Sequence, residues 1–194
     1  MPANSSVPVN LRLQRLRVAV KLMLLVALGV VVYIIGSAFS SAPNEQPDLP
    51  VISIDLNRVP PGGAITINWA DRPVLILRRT PAEIQALTAE NSQLRDSTSE
   101  RSKQPAFALV AHRSRVPEWF VAIALGSDFN CPVDRVPKVP EAIMGVQGRA
   151  GLQDSCRGSF YDLAGRVLKG QYAERNLMIP EYRIADKTLT LGAR

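Results

Sequence analysis

Two cysteines and a single histidine are all the thiol and imidazole side chains in this chain of 194 residues: Cys131, Cys156 and His112. One histidine cannot supply two imidazoles, so any cofactor that needs a pair is beyond this inventory. There is no internal repeat and only one long hydrophobic run. Within that run, residues 22–39, no side chain is charged over about 18 positions, close to the lower limit for a membrane-spanning helix. No acid precedes it, and no base follows it until Arg58. Arg12, Arg15, Arg17 and Lys21 stand before it, and setting these four aside reduces the net charge of +6 to about +2. The basic balance is therefore mostly a topology signal, and the nucleic-acid class is excluded.

The charge asymmetry around the run orients it. Residues 1–21 belong on the cytoplasmic or matrix side, and the rest of the chain on the other. A cleaved signal peptide is the rival reading, with the small-residue stretch before Pro43 as its cleavage site, but the length of the run favours an anchor. Residues 40–50 carry three prolines in a short polar stretch and read as an extended linker. Residues 51–194 form one soluble unit, of single-domain size.

Within that unit, residues 51–56, 64–69 and 73–78 read as β-strands, with turns at 60–63 and at Asp71 and Arg72. Thr80, Pro81 and Glu83 spell the start of a helix, which ends at Leu87 or Leu94. Residues 106–110, 119–125, 160–161, 166–168, 178–184 and 188–191 read as further short strands. Many short strands separated by Gly and Pro turns indicate an all-β sandwich.

Residues 154–170 read D-S-C-R-G-S-F-Y-D-L-A-G-R-V-L-K-G. This stretch resembles the C-P-C-H-G-S-x-Y-D-x-x-G-R-x-x-K-G box of Rieske iron–sulfur subunits of cytochrome bc complexes. Residues 118–131, E-W-F-V-A-I-A-L-G-S-D-F-N-C, are similar to the other box, E-W-x-V-x-I-x-x-C-T-H-L-G-C. Residues 54–87 and 176–192 resemble the opening and closing parts of the same domain, while 89–105 and 136–151 match only loosely. The resemblance implies an antiparallel Rieske-like β-sandwich with one short helix, behind a single N-terminal transmembrane helix.

It also implies four ligand positions, and here they hold Gly126, Asp128, Asp154 and Arg157. A Rieske centre uses two thiolates and two imidazoles. Arg157 is worse than neutral as a substitute, since a guanidinium has no lone pair to give. Both disulfide positions of the family are kept, as Cys131 and Cys156. The expectation is a domain with no cofactor, no metal and no catalytic residue. A hard cation held by Asp128 and Asp154 is opposed by the charge of Arg157. Phe129 stands at the apolar tip, which in the family docks on cytochrome b. Ser159 and Tyr161 match residues that hydrogen-bond the cluster in the family, and packing is their role without one. His112 lies at no ligand position and reads as a surface or edge-strand side chain.

Bacterial members usually carry a twin-arginine export signal, and here Leu16 separates Arg15 from Arg17. A chain without a cofactor can be exported unfolded, so that absence is consistent with a lost cluster. The resulting expectation is a noncatalytic, cluster-less accessory subunit in an inner membrane. Its N-terminus is cytoplasmic and its domain lies in the periplasm, or in the intermembrane space of a mitochondrion. Its partners are cytochrome b, other subunits of a respiratory complex and the lipid bilayer, with no small-molecule substrate. The rivals are an electron-transfer subunit of ubiquinol–cytochrome c reductase and a free periplasmic binding module.

Overall fold

The computed structural model describes residues 9–39, 49–88, 92–102, 104–145 and 148–192. The chain divides into two units, Met1–Pro47 and Asp48–Arg194. The first contains one helix, α1 (Val9–Phe39). Its stretch Asn10–Ser37 is long and apolar enough to cross a membrane, exceeding the ~20 residues a bilayer requires. The helix starts well before the uncharged run, because Arg, Leu and Lys are all good helix formers. The first eight residues, and the expected linker as far as residue 48, lie outside the described residues.

Among the described residues, the second unit is built from three antiparallel three-stranded sheets. In chain order the elements are β1 (Ile52–Asp55), β2 (Ala64–Trp69), β3 (Arg72–Arg78), α2 (Pro81–Thr88), β4 (Trp119–Ile123), β5 (Val133–Val136), α3 (Glu141–Met144), β6 (Gly151–Asp154), β7 (Phe160–Tyr161), β8 (Tyr182–Ala185) and β9 (Thr188–Leu191). The sheet orders are β1-β9-β8, β2-β3-β4 and β5-β6-β7. β3 is buried from Val74 to Leu77, and every residue of β4 is buried. Such continuous apolar strands mark a sheet covered on both faces. β9, by contrast, alternates partly and fully buried residues, with Leu189 and Leu191 turned to the core.

Several local expectations shift. The β2–β3 hairpin turns at Ala70 and Asp71, both with positive φ, and pairs Trp69 with Arg72. Two positive-φ residues supply the twist that a two-residue hairpin needs, so the turn lies one residue earlier than its composition suggested. Asp186 and Lys187 make the β8–β9 turn in the same way. Residues 106–110 are not a strand: Ala106–Ala108 is a 3-10 turn started by Pro105, and Leu109 is 63% exposed. Residues 178–184 become a strand only from Tyr182, since Pro180 has no N–H to give a ladder. Residues 166–168 form only isolated bridges to Tyr161 and Leu94. The short helix α3 lies within the loosely matching stretch 136–151 and β5 and β6 at its two ends, where the sequence pattern predicts no strand or second helix. The start of α2 is as expected: the Glu83 N–H donates to Thr80 Oγ1 at 3.3 Å, and the Thr80 N–H to Glu83 Oε2 at 2.8 Å.

Two buried arginines lace the sheets to the loop after β7. Arg79 donates to the carbonyls of Leu163, Pro117 and His112, each at 2.9 Å. Arg113 donates to Ala164 at 2.7 Å, Gly165 at 3.0 Å and Leu177 at 2.7 Å. Burial pulls Arg79 down to about 9 and Arg113 to about 10, opposed in both by Asp162, so each stays charged at neutral pH. Three of these carbonyls, of Leu163, Ala164 and Gly165, belong to the D-L-A-G-R turn. There the Asp162 carboxylate accepts the N–H groups of Ala164 and Arg166 and pairs with the Arg166 guanidinium at 2.7 Å.

Gly165 makes that turn possible. It has φ +66, and a Cβ there would sit 2.7 Å from Phe120 Cζ and 3.1 Å from Leu177 Cβ. Gly170, at φ +75, has nothing within 4 Å of such a Cβ. In urea unfolding of the full chain in detergent, Gly165→Ala is expected to cost about 3 kcal/mol from backbone strain plus overpacking. Gly170→Ala carries the backbone part alone, about 1 kcal/mol. Equal losses would show that the close packing around Gly165 does not matter.

Candidate functional site: two loops beyond the third sheet

The two motif boxes become two loops held side by side. The first, residues 126–131, leaves β4 through Leu125 and returns into β5, closed by the Gly126 N–H on Cys131 O at 2.8 Å. The second, residues 154–159, joins β6 to β7 and is closed by the Asp154 N–H on Ser159 O at 3.0 Å. Cys131 and Cys156 form a disulfide between them, with Cα atoms 5.8 Å apart. Closing 25 residues of chain stabilises the fold by about 3 kcal/mol in the chain-entropy picture.

Asp154 organises the second loop from inside. It is 3% exposed, and its Oδ1 accepts the N–H groups of Cys156, Arg157 and Gly158 at 3.1, 2.8 and 3.2 Å. Its Oδ2 accepts the Ser159 N–H at 2.8 Å. Burial alone pushes this carboxyl up, but hydrogen bonds from Arg157, Ser159 and Cys156 together outweigh it and hold it below the ordinary carboxylate range. Charge-assisted bonds of this kind are about twice as strong as neutral ones.

Arg157 points outward. Its guanidinium reaches Asp128 Oδ2 at 3.1 Å, with the side chains 38% and 26% exposed. It lies 3.8 Å from the centre of the Tyr172 ring and 5.4 Å from that of Phe129. Arg157 therefore pairs with Asp128 through its side chain and meets Asp154 only through its backbone. A pair this exposed contributes little to stability, and the ring contacts add the packing. Phe129 is 69% exposed at the tip and is not a core residue.

Between the loops the interior is closed. A Cβ on Gly126 would lie 3.3 Å from Tyr161 Oη and 3.4 Å from Asp154 Cβ. Tyr161 is fully buried, and its hydroxyl has no hydrogen bond of good geometry. Burial pushes it up to about 12, opposed by the neighbouring Ser127. Ser159 is buried as well and accepts the Ala173 N–H at 3.1 Å. His112 is in a turn and not on an edge strand; it is half-buried, with Nδ1 3.0 Å from Ser114 Oγ. Burial lowers it first, and the charge of Arg79 lowers it further.

The residues present do not fit a Rieske cluster. Both sulfurs are bound to each other, Asp154 spends its lone pairs on backbone donors, Arg157 is a cation and Gly126 has no side chain. Among the described residues no group of three His, Cys, Asp or Glu could hold a metal ion. The two expected motif boxes do supply these loops, and the disulfide joins Cys131 and Cys156 as the resemblance implied. The sequence did not foresee the buried cations Arg79 and Arg113, because a charged residue ordinarily reads as surface.

Asp154→Ala leaves the N–H donors of the second loop without their acceptor and is expected to destabilise the full chain by about 2–4 kcal/mol. The carboxyl is depressed in the folded state, so its contribution is present above the ordinary carboxylate pKa and is lost as pH falls through the folded value. Unfolding midpoints measured against pH should therefore fall more steeply below about pH 4 in the parent than in Asp154→Asn. Identical slopes would contradict the assignment.

No family model matches the chain. It is 32% identical over 142 residues to the ubiquinol–cytochrome c reductase iron–sulfur subunit of Allochromatium vinosum, covering 73% of this chain and 69% of that one. It is 34% identical over 137 residues to the mitochondrial cytochrome b-c1 complex subunit Rieske of Neurospora crassa, covering 70% of this chain and 51% of that one. It thus spans about half the length of that mitochondrial relative. A solved chain from a hyperthermophilic respiratory Complex III aligns with a TM-score of 0.41 at 13% identity, over 88% of this chain and 98% of that one. Identity and coverage against the Allochromatium subunit carry the assignment: the chain belongs to the family of Rieske iron–sulfur subunits.

Proposed function

We propose that this chain is a noncatalytic, cluster-less Rieske-family subunit that supports or assembles a respiratory cytochrome bc-type complex. The observation that carries the reading is the chemistry at the four ligand positions. Gly126 offers nothing, Asp128 is paired with Arg157, Asp154 is committed to backbone N–H groups, and Arg157 is a fixed cation. Two iron atoms held by two thiolates and two imidazoles find none of those donors there. With no redox centre, the chain is not an enzyme by itself.

The domain division follows the sequence: a cytoplasmic segment at 1–21, a membrane span at 22–39, a linker at 40–50 and a Rieske-like head at 51–194. α1 supports the anchor, and the four bases ahead of the apolar run support a cytoplasmic N-terminus. The disulfide is in keeping with a head in an oxidising compartment, the periplasm or an intermembrane space. Cytochrome b and other subunits of a bc-type complex are the proposed partners, and the exposed Phe129 is a candidate docking tip. The names of the relatives favour a second reading, an electron-transfer subunit of ubiquinol–cytochrome c reductase.

The two readings part in electron paramagnetic resonance of the complex captured through this chain in mild detergent. The proposal expects cytochrome b to be captured with no rhombic Rieske signal assignable to this chain. Such a signal would favour electron transfer, and a chain that captures no membrane partner would remove the subunit role. Arg157→His is expected to restore no Rieske absorbance, since three ligand positions stay empty of donors.

A further inference from the structure

A cleft of about 580 Å³ opens beside the first loop, with Gly126 in its wall. Three arginines from separate parts of the chain line it: Arg72 at the start of β3, Arg101 before the 3-10 turn, and Arg175 ahead of β8. All three are exposed, and none of their guanidiniums has an ion pair or hydrogen bond among the described residues. No Asp or Glu lines the cleft. Each arginine follows an acid in sequence, Asp71, Glu100 and Glu174, but none of these three lines the cleft; Asp128 takes Arg157, and Asp96 accepts the backbone N–H groups of Glu100 and Arg101. The Ser102 hydroxyl in the wall has no partner.

Three like charges on one concave surface repel one another, and low-dielectric walls focus their field outward into the cleft. An anion converts that repulsion into attraction. A carboxylate is satisfied by one arginine fork, whereas a phosphate group offers more oxygens and more charge and takes several forks at once. Surface arginines that stay solvated are ordinarily scattered among acids. Here they converge from three segments on a wall without one. We propose that this cleft binds a phosphate-type oxyanion, either a soluble phosphate compound or the headgroup of an anionic phospholipid, through Arg72, Arg101 and Arg175.

The test is calorimetric titration of inorganic pyrophosphate into the full chain, held in nanodiscs of neutral phosphatidylcholine at low ionic strength. Saturable one-to-one binding is expected, weakening as salt rises. Arg72→Ala, Arg101→Ala and Arg175→Ala should each weaken it about ten-fold, and the triple variant should lose it. Arg183→Ala, on the exposed face of β8 and outside the cleft, should bind like the parent. Repeating the titration in nanodiscs containing phosphatidylglycerol separates the sources. Loss of pyrophosphate binding there identifies a lipid headgroup, and unchanged binding identifies a soluble ligand. Absence of saturable binding in the parent, or equal binding by the triple variant, would overturn the proposal.

Discussion

A single buried carboxylate shapes the loop on which this protein's identity turns. Four consecutive backbone N–H groups, from Cys156 to Ser159, converge on Asp154. Converging N–H groups make a nest for negative charge, and something anionic has to occupy it if the loop is to keep its course. In a Rieske site the anionic occupant is a cluster whose sulfurs take hydrogen bonds. Here the chain provides its own anion: the carboxylate of Asp154 fills the nest.

The remainder of the box has a structural role of its own. Asp162, Gly165 and Arg166 close a turn whose carbonyls receive the buried guanidinium of Arg113. The Arg79 guanidinium joins the same turn to the segment before β4. Removing one partner from such a buried charged network costs far more than the pair contributes when whole, because the survivor is left desolvated. These residues hold the head together whether or not iron is present. The disulfide does the same for the two loops. Tyr161 is the exception: its hydroxyl sits buried against Gly126 without an aligned partner, with Ser127 beside it.

Much of this was legible in the residues, and unevenly so. The capping box at Thr80 and Glu83, the strands 64–69 and 188–191 and the disulfide positions followed from pattern or resemblance. β5 and β6 did not, because V-D-R-V and G-L-Q-D are short segments that acquire strand character only from their neighbours. Residues 106–110 misled through composition: an apolar run after Pro105 turned as a 3-10 helix and left Leu109 in solvent. Arg79 and Arg113 were invisible for a different reason. Nothing in a linear pattern shows that a guanidinium will find enough carbonyl oxygens to be buried, and that depends on three segments meeting.

We propose that the protein's own charges occupy the position where iron would be gripped. Iron and acid-labile sulfide, measured per mole of the isolated chain after expression with an intact cluster-assembly system, test it most directly. The account predicts neither above background. Two irons and two sulfides per chain would contradict it.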